Sequence, residues 1–458
     1  GRSQPVRHRG FVTAAAAARE VAAGNLSAHS LAVGAIDRLR RAQDTLNSAT
    51  LIDERPALQR AAAIDQNVAA GDDPGPLAGV PIVIKDLIDH AGRPTTCGSG
   101  FYSVVPERSA AIVERLEAAG AVIVARAGLH EFAYGFSSEN QWFGPVHNPW
   151  DRSTSPGGSS GGSAVAVAAG LVPIAIGTDT GGSVRVPAAL TGIMGLKVTH
   201  GRILTRGVFP LAPSVDTVGP LATNVTDLAL SYRVMAGLPT TGAPDPRKSV
   251  AGLRLGLPLR WLQEGPTQAV ITTEFERAVD ALASLGVSVH AIEVPELVPW
   301  GKIQELAGSE AFHVHREFLS RGFVYGDEVA SRLEAASKIT PSQYLDAQAW
   351  RARLIEVTAA VFTKVDLIAT PAVAALKKTI GRDDIDGQPY RPVLSWYSAL
   401  VNHTACPAIA LPLRGEASPP VSLQLIAPWW QEDLLLEVAV LLEGAGLVGL
   451  QPPPFYLG

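Results

Sequence analysis

The chain is nearly devoid of cysteine: Cys97 and Cys406 are the only two in 458 residues, far apart and without His or Cys neighbours at metal-ligand spacing. That excludes a disulfide framework and a cysteine-based zinc site, and no metal is expected. Basic patches are missing too. The 38 lysines and arginines are scattered and outnumbered by 43 acidic residues, for a net charge of −5, so no nucleic acid is expected as a partner. A membrane-spanning run is also lacking, because the longest apolar stretch, 164–177, is too short and is interrupted by Gly170 and Pro173. The basic start GRSQPVRHRG leads into an alanine-rich segment carrying Arg19 and Glu20, which reads as an amphipathic helix and not as a secretory leader. A soluble, cytoplasmic protein with no membrane partner is the expectation.

What the chain does contain suits a globular α/β enzyme: 47% hydrophobic and 18% charged residues exclude a mainly disordered chain. Residues 11–70 read as helices, with Ser27 capping the second. PIVIK, ending at Lys85, is a continuous apolar run and predicts a fully buried strand, and AVIVARA after Gly120 predicts another. Strand and helix patterns alternate again from 250 to 450, ending in AIALPL, VSLQLIAP and a helix near 431–445. This alternation predicts crossover units, hence a mixed, largely parallel central sheet covered by helices on both faces. The stretch 237–252 is the best linker pattern. We read it as a surface loop within a single domain spanning 1–458 rather than as a boundary.

Two glycine-serine clusters carry the chemistry. The first, SPGGSSGGS at 155–163, lacks the Gly-Lys-Ser/Thr ending of a phosphate-binding P-loop and follows no predicted strand. Gly157, Ser159 and Gly161 also satisfy G-x-S-x-G, with Asp366 and His403 later in hydrolase order. That elbow requires a strand immediately before it, and the polar HNPWDRSTSP stands there instead. The second cluster, GTDTGGSVRVPA at 177–188, follows an apolar run, so its paired glycines are placed for backbone geometry and not for looseness.

Taken in order with GVPIVIKD upstream and GLKVTHGR at 195–202, these segments resemble the amidase signature family over about 76–227, with weaker similarity beyond. The resemblance implies the family's fold and its Ser–cis-Ser–Lys triad, with Ser183 as nucleophile, Ser159 as a bridging serine in a cis peptide and Lys85 as base. It implies an oxyanion hole of backbone N–H groups from Thr180, Gly181, Gly182 and Ser183, and no cofactor. Homodimers are common in the family. The residues themselves agree: a serine hydroxyl needs a base, and burial at the end of a strand lowers the pKa of a lysine. Backbone donors aimed at an oxyanion are worth about 2.7–4 kcal/mol each. Asp179 and Arg185 are expected to order the loop by charge pairing rather than to bind substrate. His403 is expected to be structural.

HEFAYGFSSENQWFGP at 130–145 resembles the family's acyl-pocket segment, which puts Tyr134 and Phe136 at the substrate. The expected substrate is a small-molecule carboxamide, with esters, anilides or carbamates as further substrates. Two alternatives stand beside it: the glutaminase subunit of a tRNA-dependent amidotransferase, and a biuret- or urea-type hydrolase. The segment at 395–410 departs from the glutaminase pattern.

Overall fold

The computed structural model describes residues 13–241, 249–298 and 302–458. The basic start and the middle of the 237–252 stretch lie outside the described residues. Local signals set the first elements. The Ser27 hydroxyl accepts from the Ser30 amide at 3.1 Å and opens helix Ala28–Leu46, and Asn47 closes it in the left-handed region. The apolar face of that helix, including Ala32, Ile36, Leu39 and Leu46, is buried.

Among the described residues, eleven strands form one sheet. In spatial order they are Ala49–Ile52, Val122–Ala127, Pro81–Lys85, Ile174–Asp179, Thr217–Ala222, Met194–Lys197, Ala408–Pro412, Ser422–Ile426, Leu367–Pro371, Arg254–Pro258 and Ser288–Ile292. Strands from both sides of the 237–252 stretch therefore share the sheet. Pro81–Lys85 pairs in parallel with both of its neighbours, as does Arg254–Pro258 with its own. The middle of the sheet is antiparallel for a simple reason. Thr217–Ala222 slots between two strands that run the same way, Ile174–Asp179 and Met194–Lys197, and Ser422–Ile426 does the same between Ala408–Pro412 and Leu367–Pro371. The central strands are buried along their whole length, as strands covered on both faces must be, while the edge strand Ser288–Ile292 is exposed at four of its five residues.

Helix Gly161–Ala168 is buried at every residue and lies against the strands on either side of Lys85. Its close approach depends on Gly162, where a Cβ would meet the Ser48 carbonyl oxygen at 2.4 Å and Gly128 backbone atoms at 2.5 Å. The adjacent parallel strands Pro81–Lys85 and Ile174–Asp179 end together, and their carboxyl ends deliver Lys85 and Asp179 to one place. In open α/β sheets such strand ends are where ligands bind. No helix among the described residues is long and apolar enough to cross a membrane.

Candidate active site

Lys85 is completely buried. Burial pushes its ammonium down to about 7, against the upward pull of Asp179, Asp216 and Cys97, so the neutral amine is accessible near neutral pH. Lys85 Nζ donates to Ser159 Oγ at 2.6 Å and to Thr178 Oγ1 at 2.7 Å. Two hydroxyls thus fix the amine, one on each neighbouring segment.

Ser159 sits on the loop before helix Gly161–Ala168, and the Gly158–Ser159 peptide is cis. Ser138 clamps this loop: its hydroxyl donates to the Gly157 carbonyl at 2.8 Å and accepts from the Gly161 amide at 3.1 Å. The Ser159 carbonyl accepts from the His130 amide at 3.1 Å. Ser160 ties the loop to the next strand, with its hydroxyl donating to the Thr178 carbonyl and accepting from the Thr178 amide, both at 3.1 Å. The Ser160 amide donates to the Ser183 carbonyl at 3.2 Å, so the loops bearing Ser159 and Ser183 are joined directly.

Ser183 is buried on the turn between strand Ile174–Asp179 and helix Arg185–Thr191. Asp179 organises that turn. Its carboxylate accepts from the amides of Gly182 at 2.9 Å and Val184 at 3.2 Å, and from Arg185 Nε and Nη2 at 3.0 and 2.9 Å. Arg185 also donates to Gln424 and Asn402, at 2.8 and 2.7 Å. Burial opposes the charge on Asp179, but the charge and hydrogen bonds of Arg185, with the Asn402 amide, hold its carboxyl well below the usual range.

One expected oxyanion donor is corrected by this arrangement. The Gly182 N–H points to the Asp179 carboxylate and is already committed, which leaves Thr180, Gly181 and Ser183 as the amides proposed for the hole. Gly182 is instead required for its shape: its φ is +130°, and a Cβ there would lie 2.2 Å from Ser398 Oγ.

The two aromatic residues assigned to the substrate lie in different surroundings. Phe136 is half-buried with its ring beside Gly181, where a Cβ would come within 3.2 Å of Phe136 Cζ. Tyr134 is buried, with the Arg332 guanidinium 3.9 Å over its ring and its carbonyl accepting from Arg332. The order Ser159, Asp366, His403 does not assemble: a loop precedes Ser159, Asp366 is engaged by Arg254 at 2.9 Å, and His403 Nδ1 bonds the Ala399 carbonyl at 2.9 Å. Burial pushes His403 down to about 4.

Beside the triad lies a small cavity of about 60 Å³, whose walls include Ala133, Thr178, Thr180, Phe209, Leu211 and Asp216. Asp216 accepts from Thr180 Oγ1 at 2.6 Å and from the Leu211 and Ala212 amides at 3.0 Å. Sequence reasoning missed Thr178, Asp216, Ser398, Asn402 and Gln424. The last three come from the far half of the chain, where no local pattern marks them.

A family model for amidases matches residues 32–436. This chain belongs to the amidase family. The amidase is 34% identical over 468 residues to a glutamyl-tRNA(Gln) amidotransferase subunit of Carboxydothermus hydrogenoformans, covering 94% of this chain and 96% of that one. Among solved structures it resembles a chain from a vestigial protein complex bearing on the evolutionary origins of an s-triazine catabolic enzyme, with TM-score 0.87 and 31% identity over 95% of this chain and 98% of that one. It also resembles a crystal structure of an amidase, with TM-score 0.86 and 31% identity over 94% of this chain and 98% of that one.

Proposed function

We propose that this chain cleaves the C–N bond of a carboxamide through a seryl acyl-enzyme. The observation that carries this reading is the contact of 2.6 Å between a fully buried lysine amine and the Ser159 hydroxyl. As the Ser183 oxygen adds to the carbonyl carbon, its proton passes to Ser159, whose own proton passes to neutral Lys85. The carbonyl electron pair moves onto oxygen and is held by the amides of Thr180, Gly181 and Ser183. Collapse restores the C=O bond and breaks the C–N bond, while the relay returns a proton to the departing nitrogen. Water then attacks the ester by the reverse relay, releasing the acid and restoring Ser183. Esters, anilides and carbamates meet the same chemistry.

The near full-length similarity to an amidotransferase component favours a second reading, in which the same cleavage of glutamine supplies ammonia to a partner assembly. The small cavity bears on that choice. Among the described residues no lysine, arginine or histidine lines it to pair with an amino acid's α-carboxylate, and the Asp216 carboxylate already holds three donors. This supports a neutral amide.

A hydrolysis panel of aliphatic amides, anilides, ureas, carbamates and glutamine, run on the purified chain without partner protein or tRNA, tests the reading. Turnover of neutral amides that is lost in Ser183→Ala is the expected result. Turnover of glutamine alone, and only with partner proteins and tRNA, would favour the second reading. Sedimentation of the same preparation tests whether the chain is a homodimer.

A further inference from the structure

The small cavity at the triad is about 60 Å³, and a water molecule's share of liquid is about 30 Å³, so it has room for a carboxamide head and little else. The rest of any larger substrate must lie elsewhere. A second cavity of about 480 Å³ opens between helices Ile303–Ser320, Asp327–Ser337 and Pro341–Phe362, within the ~300–1,000 Å³ usual for small-molecule sites. Pro213 lines both. We propose that this larger cavity receives the apolar arm, aryl or branched alkyl, of a neutral amide whose carbonyl lies at Ser183, an inference that rests on the amidase reading above.

The wall chemistry specifies an uncharged, hydrophobic occupant. Phe312, Val314, Ala336, Ile339 and Tyr344 supply most of the apolar surface. The carboxylate of Glu310, also on the wall, is engaged by Ser214 Oγ at 2.8 Å. The rim between the two cavities is held in place at several points. Asp216 binds Thr180 on the inner side, Arg351 donates to the Ser214 carbonyl at 3.0 Å, and the His200 ring meets the Pro213 carbonyl at 2.9 Å. Beneath it Ala212 and Val215 pack against Leu306 and Ala347. Pro213 is therefore a fixed threshold rather than a loose flap, and a substrate spanning it is anchored at its reacting end by Thr180 and Ser183 and at its far end by the helices.

The test compares acetamide, phenylacetamide and acetanilide on the wild type and on Ile339→Trp, which fills the cavity. The ratio of kcat/KM for an aryl amide to that for acetamide is expected to fall on the order of tenfold or more, mainly through KM. Whether phenylacetamide or acetanilide shows the fall identifies the acyl or the amine arm as the occupant. A ratio within twofold of wild type for both aryl amides overturns the proposal. Phe312→Ala, which removes wall instead of adding bulk, is expected to lower the same ratio and replaces Ile339→Trp if that variant does not fold. Absence of turnover of all three amides by the wild type would defeat the amidase reading and not the cavity. In that event, equilibrium binding of the aryl amides to Ser183→Ala is measured with and without Ile339→Trp. Weaker binding in the double variant sustains the proposal, and equal or undetectable binding in both overturns it.

Discussion

The guanidinium of Arg185 embraces the carboxylate of Asp179 through Nε at 3.0 Å and Nη2 at 2.9 Å, with both side chains entirely removed from solvent. The pair lies six residues apart in sequence and brackets Ser183, so it fixes the turn on which the proposed nucleophile stands. Desolvating two charges is costly, and here the cost is offset by near-complete satisfaction: Asp179 also receives backbone amides and Asn402, while Arg185 also reaches Gln424.

Removing one member strands the other. Arg185→Met is expected to destabilise the chain by about 3–5 kcal/mol, the range for breaking a buried ion pair from one side. Urea denaturation with a two-state fit reads this directly, and a loss below about 1 kcal/mol would mean that the turn is held chiefly by other contacts.

The proposed base sets a pH dependence. A lysine works as a base only when unprotonated, and the Lys85 amine is pushed down to about 7, so kcat/KM for a neutral amide is expected to rise with pH through about 7. Lys85→Ala is expected to retain the fold and lose acylation by roughly 10²–10⁴-fold. Single-turnover acylation measured across pH checks both, and an unchanged rate in Lys85→Ala would remove the lysine from the mechanism.

Thr178 offers a finer test of the same site. Its hydroxyl accepts from Lys85 at 2.7 Å, which favours the charged form of the amine and holds it in position. Thr178→Val keeps the shape and deletes the acceptor. The acidic limb of the pH profile is expected to move to lower pH, because the ammonium loses a partner, and kcat to fall on the order of tenfold as positioning is lost. A drop in kcat with the limb unmoved would make Thr178 a packing residue only.

The strand ending at Lys85, the capped helices and the positions of Ser159 and Ser183 were legible because each is marked by nearby composition: an apolar run, a cap residue, a glycine-serine cluster. The central antiparallel pairings were not, since the slotting of Thr217–Ala222 between two like-directed strands depends on partners remote in sequence. Gly182 shows a subtler limit. Paired glycines suggest exposed amides, but Asp179 stands three residues earlier, and an Asp that folds back onto a following amide is a turn signal that could have withdrawn Gly182 from the oxyanion set. Asn402, Gln424 and Ser398 carry no comparable mark, because their role exists only once the far half of the sheet has closed on the turn.

Gly182 also yields the most specific prediction about the nucleophile turn. At φ +130° it occupies backbone space that L side chains rarely adopt, and an added Cβ would meet Ser398 Oγ at 2.2 Å and Ser398 Cβ at 2.7 Å. Gly182→Ala therefore faces two separate penalties: backbone strain of about 1–3 kcal/mol and a steric clash. The clash is removable. Ser398→Gly in the same chain clears the space but gives up the hydrogen bond from Ser398 to the Gly181 carbonyl at 2.7 Å, worth about 1 kcal/mol. The single variant is thus expected to lose turnover and thermal stability, and the double variant to regain part of the stability, though never the wild-type value, because the strain remains. Thermal melts alongside amide turnover separate the two contributions. A Gly182→Ala chain as stable and active as wild type would show that this turn does not need glycine at its tightest point.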